Sequence, residues 1–151
     1  MNILVIGAGD IGLQLCRRLT QDHHDVSVIE VDNRTARRAG EQLDVQMIEG
    51  DATSWRILQQ ADIAHVDVVA AMTTRDEVNL LACRMAKKAG ADFTIARIRN
   101  PELLSNDFIL SREELGVDEV ILPEREAADA VVRLIRQARA TDLIDFADGR
   151  I

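Results

Sequence analysis

Twelve residues at the amino end, MNILVIGAGDIG, constrain the fold of this chain more than any others. The apolar run Ile3 to Ile6 has the length and branched content of a buried strand. It enters Gly7-x-Gly9-x-x-Gly12 with no spacer. Beyond that turn Ile11, Leu15 and Leu19 recur every four residues, the stripe of one helix face. A strand that turns into a helix through three glycines has few folds open to it. Gly7 permits the tight turn, Gly9 lets backbone approach a pyrophosphate, and Gly12 lets the helix pack on the strand. Ala8, Asp10 and Ile11 fill the other positions of this expected phosphate cradle, where the N–H groups of the helix start favour negative charge. A glycine set alone is not specific. Its weight here comes from the strand before it, the helix after it and an acidic residue further on.

The alternation continues almost to the end of the chain. Further strands are predicted at Val26–Val31, Val45–Ile48, Val66–Ala71, Phe93–Ile98 and Val117–Leu122. Helices are predicted at Asp10–Gln21, around Ala36, Ala39 and Leu43, at Ser54–Gln60, at Asp76–Ala89, after Asn100-Pro101, and from Pro123 to about Arg139. Gly90 suits the position just past a helix, and Pro101 suits a first helical position. Such alternation implies right-handed crossovers and a parallel sheet. Six strands fit an α/β, doubly wound dinucleotide-binding (Rossmann) fold of order 3-2-1-4-5-6. The expected division is a nucleotide-binding domain over 1–122, a helix over 123–140 and the start of a following domain over 141–151. Leu143-Ile144-Asp145-Phe146 alternates like a strand, and Asp148-Gly149 is a hairpin signal. The second arm of that hairpin is expected in a longer protein.

Composition narrows the function. A chain of 151 residues, 47% apolar and 29% charged, is long enough for one globular domain. No apolar run approaches the ~20 residues that span a bilayer, and none resembles a secretory leader, so a cytoplasmic location is expected. With 18 basic against 26 acidic residues and no tyrosine, the chain lacks the charge and the stacking platforms of a nucleic-acid binder. Cys16 and Cys83 fall in helical patterns and are expected as reduced core thiols. There is no GxSxG, HExxH, GxxxxGK[ST] or metal-spaced Cys/His cluster, and the three histidines fall away from the strand carboxyl ends. No catalytic residue and no metal ligand is assigned.

The remaining site residues follow the strands. Glu30 and Asp32 stand 18 and 20 residues after Gly12, close to the ~20-residue spacing of a ribose-binding acid. Glu30, at the strand end beside Val31, is the preferred ribose ligand, and Asp32 also suits a helix N-cap. A carboxylate there accepts from the 2′- and 3′-hydroxyls and repels a 2′-phosphate, so NAD(H) is favoured over its phosphorylated form. Arg34, Arg37 and Arg38 lie just beyond and weaken that exclusion. Asp51 and Ala52 follow the third strand; Asp51 is either an acceptor for the adenine amino group or a solvated turn residue. Thr73 and Thr74 follow the fourth strand, across the topological switch, where they can meet phosphates or the second ribose. Arg97 and Arg99 end the fifth strand on one face. Arg97 is either a bidentate phosphate ligand or the partner of Asp76 or Glu77.

Taken together, Ile6-Gly7-Ala8-Gly9-Asp10-Ile11-Gly12, Val28-Ile29-Glu30-Val31-Asp32, Gly50-Asp51-Ala52-Thr53, Ala71-Met72-Thr73-Thr74-Arg75-Asp76-Glu77-Val78-Asn79 and Ile95-Ala96-Arg97-Ile98-Arg99 resemble the TrkA family of RCK/KTN domains. The tail from Ile144 to Gly149 resembles the strand and turn that follow the first such domain. The resemblance implies a dimeric or ring-forming subunit that binds NAD(H) or, alternatively, ATP/ADP. It implies coupling to an integral membrane potassium channel or transporter, at the inner face of the membrane. It also implies that the last helix is a crossover helix that reaches a partner subunit. Glu30 stands where many relatives carry Asp. Two other functions compete with such a regulatory subunit: the cofactor domain of an NAD-dependent dehydrogenase without its catalytic domain, and an assembly module with a vestigial site.

Overall fold

Six short apolar runs become strands in the computed structural model, which describes residues 1–105 and 107–145. They are β1 (Asn2–Ile6), β2 (Asp25–Glu30), β3 (Gln46–Glu49), β4 (Val68–Ala71), β5 (Phe93–Arg97) and β6 (Glu119–Ile121). All pair in parallel in the order β3-β2-β1-β4-β5-β6, the order expected from the sequence. Between them run α1 (Asp10–Gln21), α2 (Asn33–Gln42), α3 (Trp55–Gln60) and α4 (Asp76–Ala89), and α5 (Pro123–Asp145) follows the sheet.

Period-two alternation in β1 feeds two cores at once. Leu4 and Ile6 join the cluster under α3 and α4 with Leu58, Ala82, Cys83 and Ala86. Ile3 and Val5 join the opposite cluster with Cys16 of α1 and Ala39 of α2. Leu4, Val5 and Val69 are fully buried, and each such aliphatic side chain contributes roughly 1.5–3 kcal/mol by leaving water. The small residues Ala82 and Ala86, also fully buried, let α4 lie close on the sheet. Both cysteines are free and buried. Burial raises the Cys16 thiol to about 11 and that of Cys83 to about 12. Trp55, at the start of α3, is half-exposed.

Helix ends obey local chemistry. Asp32 caps α2 by accepting the Thr35 N–H at 2.8 Å. Gly90, with φ +114°, ends α4 in the left-handed region that glycine tolerates. Asn100 accepts the Glu102 N–H, and Pro101 then opens the short helix expected there, a 3-10 turn over Pro101–Leu104.

Three elements differ from expectation. β4 starts at Val68 because Ile63–His65 forms a 3-10 turn and Asp67 Oδ2 accepts the Asn2 N–H at 2.8 Å. β6 is short because Asp118 serves as a strut. Its Oδ2 accepts the Thr94 N–H and hydroxyl at 2.7 and 3.0 Å, and pairs with Lys87 at 2.8 Å. Burial pushes the Asp118 carboxyl up, but Lys87 and Thr94 together hold it below the usual range. Finally, α5 runs past residue 140 to Asp145, so Leu143, Ile144 and Asp145 are helical and not a strand. No Gly or Pro interrupts the chain from Glu124 to Asp145, and helix propagation overrides so short an alternation. Phe146 and the Asp148-Gly149 turn lie outside the described residues.

The chain divides into two compact units, Met1–Ile121 and Leu122–Ile151. The first holds the sheet and its four helices. The second holds α5, on which Val131, Val132, Leu134 and Ile135 are exposed.

Candidate nucleotide crevice

The crevice opens at the carboxyl ends of the strands, where β1 leads to β2 on one side while β4 lies on the other. This is the switch point at which doubly wound sheets bind ligands. It has a volume of about 570 Å³, within the ~300–1,000 Å³ range of small-molecule sites.

The glycine turn forms its floor. Gly7 has φ +96° and donates its N–H to Ile29 O at 2.8 Å, fastening the turn to β2. A Cβ on Gly7 would sit 3.1 Å from Thr73. A Cβ on Gly12 would strike the Gly7 carbonyl oxygen, so Gly12 serves the packing of α1 on the turn. Gly9 is the N-cap of α1, and a Cβ there would meet nothing within 4 Å. The first intrahelical bond is Leu13 N–H to Gly9 O, so the N–H groups of Asp10, Ile11 and Gly12 precede any intrahelical acceptor. Gly7, Gly9, Asp10 and Ile11 line the crevice; Ala8 and Gly12 do not.

Glu30, the last residue of β2, points its carboxylate across this turn. Oε2 accepts the Ala8 N–H at 2.6 Å, and Oε1 accepts the Asp32 N–H at 2.9 Å. Ala8, itself buried, thus anchors the expected ribose ligand. An ionised carboxylate offers about four acceptor positions, so two backbone bonds leave capacity for ribose hydroxyls. Asp32 lies outside the lining and caps α2, the second of the two roles weighed for it. Val31, two-thirds exposed, lines the crevice beside Glu30.

Asp51 and Ala52 line the β3 side. The Thr53 amide and hydroxyl, both 2.8 Å from Asp51 Oδ1, hold that carboxyl below the usual carboxylate range. Asp51 is therefore a turn residue as well as a lining one. On the β4 side Thr73 and Thr74 line the wall. The Thr73 hydroxyl donates to Asn79 Oδ1 at 2.7 Å and accepts the Arg75 N–H at 3.1 Å. Arg97, at the end of β5, lines the same wall. The acids weighed as its partners are engaged elsewhere as well. Glu77 pairs with Arg75 at 2.9 Å, and Asp76 accepts the backbone N–H groups of Arg99 and Asn100 at 2.8–3.0 Å. Eleven of the fourteen residues named from sequence line the crevice; Ala8, Gly12 and Asp32 do not.

The other lining residues were not named as site residues from the sequence: the apolar Ile6, Ile29, Met72 and Val78, and Thr35, Gly50 and Arg75. Gly50 follows β3 and donates its N–H to Glu30 O at 2.9 Å, a signal available from its place beside Asp51. Across the crevice the charges separate. Asp10, Glu30 and Asp51 lie on the β1–β3 side, and Arg75 and Arg97 on the β4–β5 side.

Residues 3–123 match the TrkA-N domain family. The chain belongs to that family. This TrkA-N domain is 38% identical over 151 residues to a Trk system potassium uptake protein TrkA homolog of Archaeoglobus fulgidus, covering all of the chain and 34% of that relative. It is 36% identical over 149 residues to a TrkA homolog of Methanothermobacter thermautotrophicus, covering 99% of the chain and 67% of the relative. It thus spans about a third of the first relative's length and two thirds of the second's. Among solved structures, the TrkA-N domain of inner membrane protein ybaL from Escherichia coli superposes with a TM-score of 0.77 at 22% identity, covering 88% of this chain and 95% of that one. The GsuK channel bound to NAD superposes with a TM-score of 0.65 at 22% identity, covering 80% of this chain and 21% of the channel. These two likenesses concern the fold.

Proposed function

We propose that this TrkA-N domain is a nucleotide-sensing regulatory module of a potassium uptake system, which binds NAD(H) or ATP/ADP and does so without chemistry. The observation that carries this reading is Glu30. Its carboxylate is fastened to the glycine turn, beside a backbone face left open at Gly9. In this reading Glu30 is the ribose acceptor and the glycine turn the phosphate cradle, side by side at the switch point. The curated relatives are Trk system potassium uptake proteins, and one solved neighbour is a channel bound to NAD. Among the described residues no helix is long and apolar enough to cross a membrane. In this reading the domain works at the cytoplasmic face of a membrane partner, as a homodimer or larger ring, with α5 crossing to a neighbouring subunit.

A regulator acts only through differential binding to two conformations. Shifting a 1:99 equilibrium to 99:1 takes about 5.5 kcal/mol, a load that several sites in a ring can share. Calorimetric titration with NADH, NADPH, ATP and ADP tests the reading. NADH binds more tightly than NADPH, and Glu30→Gln narrows that gap. Equal affinity for the two removes the ribose role of Glu30; no binding by any of the four removes the nucleotide reading.

A further inference from the structure

Asn79 is a polar residue on the apolar face of α4, among Val78, Ala82, Cys83 and Ala86, and it is fully buried. Its amide makes four hydrogen bonds. Oδ1 accepts the Thr73 N–H at 3.0 Å and the Thr73 hydroxyl at 2.7 Å. Nδ2 donates to Thr73 O at 3.0 Å and to Arg97 O at 2.7 Å. The partners fix the orientation of the amide, since two donors face one side and two carbonyls face the other. Three residues earlier on the helix, Asp76 accepts the N–H groups of Arg99 and Asn100.

The pairing of β4 with β5 is registered from Val68↔Phe93 to Ala71↔Ala96. Thr73 and Arg97 lie past the end of that register, and both line the crevice. There the Asn79 amide joins the carbonyl of one to the carbonyl of the other. One turn of α4 therefore holds both loops that wall the β4–β5 side of the crevice, while the β1–β3 side is held by the glycine turn and Glu30.

Building on the nucleotide reading, we propose that Asn79 is a positioning residue of the crevice. It sets the ends of β4 and β5 as one ledge for the half of a dinucleotide that lies beyond the adenosine phosphate, with Asp76 as its auxiliary. Affinity for NADH then depends on α4, and affinity for AMP, which has no second half, does not.

Titration of the 151-residue chain with NADH and with AMP, at a temperature well below each variant's thermal midpoint, tests this. Asn79→Ala weakens NADH about tenfold or more, the scale of a lost buried hydrogen-bonding group, and changes AMP less than about twofold, within the reach of distant-site effects. Asp76→Asn, at a partly exposed position, shifts the NADH-to-AMP affinity ratio in the same direction by a smaller factor, and it decides the matter if Asn79→Ala does not fold. A purely structural role moves both ligands equally, and that result, or undiminished NADH binding, overturns the proposal. Wild-type protein that binds AMP but not NADH overturns it while leaving the nucleotide reading intact. Binding of neither overturns both.

Discussion

On the β1–β3 side of the crevice the wall is shaped by glycines and backbone bonds: Gly7 to Ile29, Gly50 to Glu30, and the Glu30 carboxylate to Ala8 and Asp32. On the β4–β5 side it is shaped by side chains, with the Asn79 amide and the Asp76 carboxylate gripping Thr73, Arg97, Arg99 and Asn100. The charges divide along the same line. Acids suited to hydroxyls face arginines suited to phosphates. The contrast shows that one crevice can be built from two kinds of constraint. One is written in local spacing and, at Gly12, leaves no room for an added Cβ. The other is written in long-range polar contacts and tolerates no lost partner.

The first way to break this comparison is through the glycines, where the largest effect is expected. Gly12→Ala drives a Cβ into the Gly7 carbonyl and costs about 3 kcal/mol or more, the upper range for overpacking. Gly9→Ala meets no neighbour and leaves stability within about 0.5 kcal/mol while weakening nucleotide binding. Denaturant unfolding and calorimetry on the two variants separate the packing glycine from the ligand glycine. Equal stability in both would mean that α1 does not rest on the turn.

Arg97 sharpens the other side. As a phosphate ligand its charge-assisted bond is worth roughly 1.5–3 kcal/mol, so Arg97→Ala weakens NADH by about 10- to 150-fold. Arg97→Lys recovers part of the loss because it lacks the fork. Unchanged affinity with a lower thermal midpoint would make Arg97 a structural partner within the β4–β5 wall.

The smallest effect is expected at Asp32. Its cap on Thr35 predicts that Asp32→Ala lowers the thermal midpoint slightly and leaves NADH affinity unchanged. An affinity loss as large as that of Glu30→Gln would return Asp32 to the ribose and undo the division of roles between the two acids.

Legibility in the sequence follows the same divide. The glycine turn, the place of Glu30 at the crevice and the parallel order could be read because each follows from a motif spacing or a repeated pattern. The ledge could not. Asn79 meets Thr73 six residues back and Arg97 eighteen residues on, and only the pairing of β4 with β5 brings those two together. A signal was present all the same: an amide on the apolar face of a helix must find partners when buried. The start of β6 was misjudged for a related reason. Asp118 looks like an ordinary strand-flanking acid until Thr94 and Lys87 converge on it. At the other end of the chain, the alternation that begins at Leu143 was too brief to outweigh a helix that runs to Asp145 with no breaker in it.

The half-exposed side chain at the head of α3 has a practical consequence. Trp55 is the one tryptophan of a chain without tyrosine, and it follows directly on the Gly50–Ser54 turn that borders the crevice. Its ultraviolet emission therefore comes from a single known place. Reduced nicotinamide absorbs where indole emits, so if NADH binds the crevice as proposed, it would draw light from Trp55 and return it at longer wavelength. Occupancy can be followed optically, without a label, in the unaltered protein.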